Sequence, residues 1–349
     1  MKSQNRIPVF YEGQDDLIGI LATSIASVCY NTKSFIDFYI LDCGICDFNK
    51  KQLESLKNKF SNFSIEFIPI DLKQFKGLTG WGPGNFIDCY ARLLIPELKP
   101  NLKKVIYLDS DIIALDDIDL LWQQNLENYT YAAVPDLGYD DYFFKHCKND
   151  LGVADEHIYP NAGVLLLDTE QCRKMNFTEQ VLKLAKQKKR SIIVIIEDLL
   201  SIYFGTNNYK RLDNRYNLTD RSNEIQKICA PEITDEYLQE EWKHIVLQHL
   251  SPGKAWKLLK NSYNGRDLKL FDNFWFFAQM TPFYDGLTKK YYTEISSIYT
   301  QMVLSSVNNI NSKVSHFNIE KQSNLTNPIR KSKSYKLFDF IPLLKIKEK

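Results

Sequence analysis

Between residues 7 and 247, short apolar runs alternate with longer helical patterns, and this alternation does most to limit what the chain can fold into. Ile7–Tyr11 is an apolar run of strand length, and Leu17–Val28 has the composition of a buried helix. Phe35–Leu41 is a second strand, Asn49–Phe60 a polar helix with Leu53, Leu56 and Phe60 at helical spacing, and Ser64–Ile70 a third strand. Strands that take turns with helices predict an α/β chain, with a parallel sheet covered by helices on both faces. The rhythm continues with a helix over Phe86–Ile95 stopped by Pro96, strands over Lys104–Leu108, Tyr131–Val134 and Gly163–Leu167, helices over Ile118–Trp122 and Phe177–Lys188, and a last strand over His244–Leu247 ending near Gln248 and His249.

Composition closes off other classes. Hydrophobic residues make 44% and charged residues 25%, the balance of a folded chain rather than a disordered or fibrous one. No run approaches the ~18 apolar residues of a spanning helix, and MKSQNRIPVF lacks the apolar stretch of a secretory signal. The net charge of +1 argues against nucleic acid as a partner. Seven cysteines, an odd number mostly beside apolar residues, predict a reduced cytoplasmic chain. Cys43-Gly-Ile-Cys46 has no second ligand pair and reads as a loop after a strand.

The C-terminal part differs. Residues 266–305 form an aromatic helical region, with Leu270, Phe271, Phe274, Trp275 and Phe277 suited to packing on the body or on a membrane surface. Residues 306–329 read as a linker. Residues 330–349 hold seven basic and two acidic residues interleaved with apolar ones, while the rest carries 37 basic against 41 acidic residues. That tail predicts docking on an anionic membrane surface, on the inner face of the cytoplasmic membrane.

Two segments carry chemistry. Val105-Ile106-Tyr107-Leu108 runs into Asp109-Ser110-Asp111, which places two carboxylates at the C-terminal end of a buried strand, where open α/β sheets bind ligands. Hard oxygen ligands suit Mg²⁺ or Mn²⁺ on a diphosphate; the alternative is a pair of turn-capping aspartates. His249-Leu-Ser-Pro-Gly-Lys254 offers an imidazole and an ammonium around a tight turn, or a surface histidine and a solvated lysine. Asn161-Ala162-Gly163 is either a turn into a strand or a close approach for a ligand, and Arg92 alone reads equally as a solvated helix residue.

With these segments in hand, the chain resembles the retaining glycosyltransferases of family 8, which include bacterial lipopolysaccharide galactosyl- and glucosyltransferases and glycogenin. The resemblance rests on IPVFYEGQDD, SFIDFYILD, CYARLLIPEL, KKVIYLDSD, YPNAGVLLLD, IEDLLS, HLSPGKAW and FWFFAQMTPFY, in order, over residues 5–290. It implies the GT-A fold, Rossmann-like with a mostly parallel central sheet, as one catalytic domain over residues 1–265. It also implies a UDP-hexose donor carrying galactose or glucose, a glycan or glycolipid acceptor, and Mn²⁺ or Mg²⁺. Asp109, Asp111 and His249 match the family's metal ligands, and Gly253 and Lys254 the turn that meets the diphosphate. Gln14, Asp16, Arg92, Ser110, Asn161, Ala162 and Gly163 match donor-binding positions. Asp136, Glu197 and Asp198 match the catalytic side.

Departures qualify this reading. Gln14 stands where the family often has aspartate, and Asp16 where it has asparagine. The family's Asp-Gln-Asp reads Ile196-Glu197-Asp198, and the His-to-Lys turn is one residue shorter than usual, with Ala255 for proline. Glu197 is then either a nucleophile or a helix N-terminal acid. Ile196 keeps open a non-catalytic nucleotide-sugar binding protein. A polymerase-like nucleotidyltransferase would need a basic groove that the sequence lacks.

Overall fold

The computed structural model describes residues 6–80, 86–136, 148–219, 243–251, 254–255 and 269–293, with isolated positions at 234, 236, 240 and 296. Gly253, the 306–329 linker and the 330–349 tail lie outside the described residues. One compact unit covers Met1–Tyr292, and a second covers Thr293–Lys349, of which only Thr293 and Ser296 are described.

The chain opens with strand β1 (Arg6–Gly13), a 3-10 turn (Asp15–Leu17) and helix α1 (Ile18–Asn31). β2 (Phe35–Asp42), α2 (Asp47–Glu54) and β3 (Phe63–Pro69) follow. The segment expected to be one helix over Phe86–Ile95 is instead a 3-10 stretch (Asp88–Leu94) running into a short α3 (Ile95–Leu98). Pro96 does not end this segment, because it sits in the first turn of α3, where its missing N–H costs nothing. Next come β4 (Lys104–Leu108), β5 (Ile112–Ala114), α4 (Asp119–Trp122) and β6 (Tyr131–Ala133). The remainder comprises β7 (Val164–Asp168), α5 (Thr169–Lys174), α6 (Phe177–Lys188), α7 (Ile195–Phe204), β8 (Lys210–Arg211), β9 (Leu247–His249) and α8 (Lys269–Ala278).

The main sheet has seven strands in the order β3-β2-β1-β4-β7-β6-β8. Neighbouring strands run parallel except at β7, which is antiparallel to both β4 and β6. The expected α/β architecture with a mostly parallel sheet is therefore the observed one. The reversal at β7 sets the register Leu108↔Val164, so the C-terminal end of β4 meets the N-terminal end of β7.

A small second sheet pairs β5 with β9. The last strand begins at Leu247 rather than His244, so His249 lies within it. The strand expected over His244–Leu247 is shifted toward the C-terminus, because pairing with β5 is what fixes its bounds. Two core clusters lie within the chain's main body, one joining α1 to β1, β2 and β4, the other joining β4 and β7 to α6 and α7. A third, smaller cluster joins Ile20 of α1, Ile113 of β5, Leu250 and Ala255 to Phe274, Phe277 and Ala278 of α8. Asn273 adds a hydrogen bond to Gln248 of β9 at 2.8 Å.

Phe274 is fully buried in that third cluster. Truncating a buried phenylalanine to alanine costs about 3–5 kcal/mol. Phe274→Ala is therefore expected to lower the denaturant midpoint by that equivalent, with little change in the slope of the transition. A loss below 1 kcal/mol in urea unfolding would show that α8 is not part of the cooperative core.

Candidate active site

Two strand registers build the site. Asp109 directly follows β4, and its N–H donates to the Gly163 carbonyl at 2.8 Å, so Asp109 sits beside the Asn161-Ala162-Gly163 turn. Ile112 of β5 pairs with His249 of β9, and Leu250 N–H donates to the Asp111 carbonyl at 3.1 Å. The result is that Asp109, Asp111 and His249 each offer one ligand atom within 4.8 Å of the others. His249 Nε2 is 3.3 Å from Asp111 Oδ1, and Lys254 Nζ is ion-paired with Asp111 Oδ2. Burial works against ionisation of Asp111, but Lys254 and His249 outweigh it and hold the carboxyl far below its ordinary value. Two carboxylates and one imidazole around a common point form a donor set that fits a Mn²⁺-type cation.

Arg92 is the fixed cation of the site. Its side chain is 9% exposed and contacts Glu12 at 2.9 Å and Asp109 at 3.0 Å. It also donates to the Ala162 carbonyl at 3.1 Å and lies 4.3 Å from the Tyr107 ring centre, while Tyr107 donates to Asp109 at 2.7 Å. Arg92 thus ties β1, β4 and the Ala162 turn together, in addition to facing the cavity. Burial pushes the Glu12 carboxyl up to about 7, opposed by the attraction of Arg92.

Glu197 lies in the first turn of α7, as the helix N-terminal reading expected. Its Oε1 accepts the Ala162 N–H at 3.3 Å. Burial raises its pKa to about 8, against weaker opposing pulls from its own backbone N–H and from Arg92. At neutral pH the side chain is therefore a neutral acid, close in shape and polarity to the glutamine that the resemblance leads one to expect there.

These groups surround a cavity of about 640 Å³, within the usual range for small-molecule sites. Gln14, Asp16, Arg92, Asp109, Asp111, Asp136, Asn161, Glu197, His249 and Lys254 line it. Among the residues singled out from sequence, Ser110, Ala162, Gly163 and Asp198 do not line it. Asp198 is fully buried and holds the entry of α7, accepting N–H groups of Ile193 and Val194 at 2.8 and 2.9 Å. That placement gives it a structural task in preference to a catalytic one. Gly163 has a specific reason to be glycine: an added Cβ would lie 2.5 Å from His249 Cε1 and 2.9 Å from its Nδ1. The space it leaves is filled by the imidazole, not by a ligand.

Sequence reasoning missed Glu12, Asn217, Phe86 and Lys290. Glu12 ends a buried strand as Asp109 does, and the same criterion could have found it. Asn217 bridges His249 and Asn161 from a loop with no motif. Phe86, about half exposed, and Lys290 line the cavity from segments with no site signal. Cys43-Gly-Ile-Cys46 is, as expected, a loop after a strand: Asp42 accepts the N–H groups of Gly44 and Ile45, and both cysteines are free thiols.

Comparison with known proteins places this geometry. The profile described as Glycosyl transferase family 8 matches residues 8–257, well over half the chain. General stress protein A of Bacillus subtilis is 31% identical over 167 residues, 47% of this chain and 55% of that protein. The chain thus spans little more than half of that relative. A putative glycosyltransferase of Haemophilus influenzae is 26% identical over 237 residues, 68% of each. Among solved structures, the galactosyltransferase LgtC in complex with donor and acceptor sugar analogs superposes with a TM-score of 0.64 at 22% identity, over 79% of this chain and 96% of that one. An active-site mutant of LgtC, with glutamine replaced by glutamate, gives the same TM-score at 23% identity over the same shares. At these identities the likeness concerns the fold.

Two outcomes follow from the geometry. Gly163→Ala is expected to displace the His249 ring, at an overpacking cost of about 1–3 kcal/mol, and to weaken Mn²⁺ binding about 10- to 100-fold. Titration calorimetry with Mn²⁺ checks it, and unchanged affinity in a folded variant would refute the crowding argument. Glu197 titrates near 4.5 when unfolded and near 8 when folded. The folded state holds the extra proton, so its contribution to stability is complete below pH 4.5 and is lost as pH rises through 8. Glu197→Gln is expected to flatten the wild-type fall in stability across that window, measured as the difference between the two proteins' urea midpoints at pH 5 and pH 8.5.

Proposed function

The chain belongs to glycosyl transferase family 8, and we propose that it is a retaining hexosyltransferase moving galactose or glucose from a UDP-sugar to a glycan or glycolipid acceptor, with Mn²⁺ or Mg²⁺ as cofactor. The observation that carries this reading is the meeting of Asp109, Asp111 and His249 with Lys254 at one wall of the cavity. When bound, the cation would be held by those three ligands and would neutralise charge on the diphosphate as the sugar departs. Lys254 adds a mobile ammonium on a flexible stem at the same place, suited to the leaving diphosphate. Gln14 and Asp16 line the cavity at the end of β1, on the side proposed for the uridine. Asn161 and Asp136, joined by a 2.7 Å hydrogen bond, lie on the side proposed for the sugar and the incoming acceptor hydroxyl.

Glu197 is proposed to act as a neutral hydrogen-bonding group. A protonated acid is a poor nucleophile, and this one is protonated up to about pH 8. That favours attack by the acceptor on the face from which UDP leaves, with the leaving oxygen taking the proton, over a covalent glycosyl-enzyme.

A second reading has its own support. Val194, Ile195 and Ile196 line the cavity as an apolar strip where the family resemblance leads one to expect a sugar-binding carboxylate. A protein that binds nucleotide sugar without transferring it would fit such a wall. The proposed glycolipid acceptor rests on the family resemblance, including FWFFAQMTPFY, together with the tail, and the anionic membrane surface on the tail sequence alone. Among the described residues no helix is long and apolar enough to cross a membrane.

The discriminating assay is UDP release from UDP-galactose, UDP-glucose and related donors by the full chain. Activity is expected with Mn²⁺, with loss on EDTA treatment and recovery on adding metal back. Asp111→Ala is expected to lower turnover at least about 100-fold, since the metal's charge stabilisation amounts to several kcal/mol. Full turnover in EDTA would remove the metal assignment; tight UDP-sugar binding with no UDP release would favour the binding protein.

A further inference from the structure

The orientation of His249 is set by a chain of hydrogen bonds whose polarity is forced at both ends. At one end the backbone N–H of Gly163 can only donate, and the side-chain atom of Asn161 at 2.9 Å must be its oxygen. On the other side of the same amide, Asp136 Oδ2 at 2.7 Å accepts from the nitrogen. Asn161 is therefore fixed in one orientation by two independent partners. Its oxygen also faces the amide of Asn217 at 2.8 Å, so Asn217 presents its nitrogen there. The remaining atom of Asn217, its oxygen, lies 3.1 Å from His249 Nδ1. An oxygen acceptor there requires Nδ1 to carry the proton. Nε2, the nitrogen left for a cation, faces Asp111 Oδ1 at 3.3 Å; without a cation that carboxylate is an acceptor toward it as well.

The backbone holds this arrangement in register. Leu218 N–H donates to Leu247 O and His249 N–H to Leu218 O, both at 2.9 Å, so the residue after Asn217 is paired to the strand carrying His249. Asn217 is 1% exposed and His249 7%, so water has little access to replace the amide. Gly163 lies close against Cε1 and Nδ1 of the same ring.

We propose that Asn217 is a positioning residue of the metal site: it holds a proton on His249 Nδ1, so that Nε2 is the nitrogen presented to the cation. The proposal rests on the metal reading of Asp109, Asp111 and His249. Neutral imidazole otherwise exchanges between tautomers, and the one with Nε2–H cannot ligate through Nε2. Groups that orient a ligating histidine through its second nitrogen are generally worth about 10- to 100-fold in metal affinity.

The test uses the full chain in three forms: wild type, Asn217→Leu, which removes acceptor and donor at similar volume, and Asn217→Asp, which keeps an acceptor toward Nδ1. In metal-free protein labelled with ¹⁵N-histidine, long-range ¹H–¹⁵N spectra report the tautomer of His249, identified by loss of its signals in His249→Ala. Wild type and Asn217→Asp are expected to show Nδ1–H. Asn217→Leu is expected to lose that preference and to bind Mn²⁺ about 10- to 100-fold more weakly by calorimetry. Should Asn217→Leu fail to fold, Asn217→Asp decides: a ring without a proton on Nδ1 in that variant overturns the proposal. A ring without a proton on Nδ1 in wild type, or unchanged Nδ1 protonation and Mn²⁺ affinity in folded Asn217→Leu, also overturns it. Absence of Mn²⁺ binding by wild type would remove the metal reading instead, and the spectrum of metal-free protein would still decide whether Asn217 sets the tautomer.

Discussion

The pairing of Ile112 with His249 is the contact on which the rest of the site depends. It joins the strand just after Asp111 to a strand from a remote part of the chain, and so sets the second aspartate against the imidazole. The antiparallel insertion of β7 does the same for the first aspartate, placing Asp109 against Gly163. A fully parallel neighbour to β4 would bring its C-terminal end, not its N-terminal turn, to this edge. Both pairings are main-chain hydrogen bonds, so the positions of the ligating groups follow from backbone register and not from side-chain choice. This is how a rigid scaffold holds a polar constellation that no side-chain cluster could assemble alone.

The electrostatics show how that constellation tolerates its own acidity. Glu12, Asp109, Asp111, Asp136 and Glu197 converge in a partly buried space, and unpaired buried charge is costly. Three answers are visible. Arg92 lies between Glu12 and Asp109, on the face of Tyr107, as a permanent counter-ion fixed by four partners. Lys254 pairs with Asp111 through a long flexible stem, an arrangement that can exchange when another cation or an anionic ligand arrives. Glu197 has no ion-pair partner among the described residues and keeps its proton. One cavity thus holds a fixed pair, an exchangeable pair and a neutral acid, three different electrostatic environments within one lining.

Much of this was legible in the sequence, and the limits have physical causes. β1 and β4 are continuous apolar runs with clear boundaries, because a strand buried on both faces has no alternation to obscure it, while β2 and the edge strand β3 are read from their aromatic and β-branched residues. Asp109 and Asp111 announced themselves by ending such a run. The 3-10 segment before Pro96 could not be read, since α and 3-10 turns share one residue pattern. β5 and β8, three and two residues long, carry no periodicity and exist only through their partners. Asn217 is the clearest case: it matters for the atoms it sits between, and an asparagine in a loop has no pattern that reveals them. Gly163 was legible as small, but that its absent Cβ makes room for an imidazole depends on a strand far away in sequence. For Glu197 the residue was legible and its protonation was not, because burial in the folded chain sets it.

The aromatic segment finds its explanation in the weakness of the element it covers. A two-stranded sheet is marginal by itself, and β5 with β9 contributes only three paired positions. That sheet nevertheless carries His249 and adjoins Asp111, so its stability has to come from packing. Phe274 and Phe277 of α8 supply it, pressed on Ile113, Leu250 and Ala255 together with Ile20 of α1. Asn273 fixes Gln248, the neighbour of His249, from the same helix. The half of the site that holds Asp111 and His249 is therefore held between a helix from the start of the chain and one from beyond the sheet that it serves. A sequence reading that assigns α8 to a separate appendage would miss this, because its apolar face has the same composition whether it meets a membrane or a protein core. What separates the two is the partner surface, and here that surface is the back of the strand that carries the histidine.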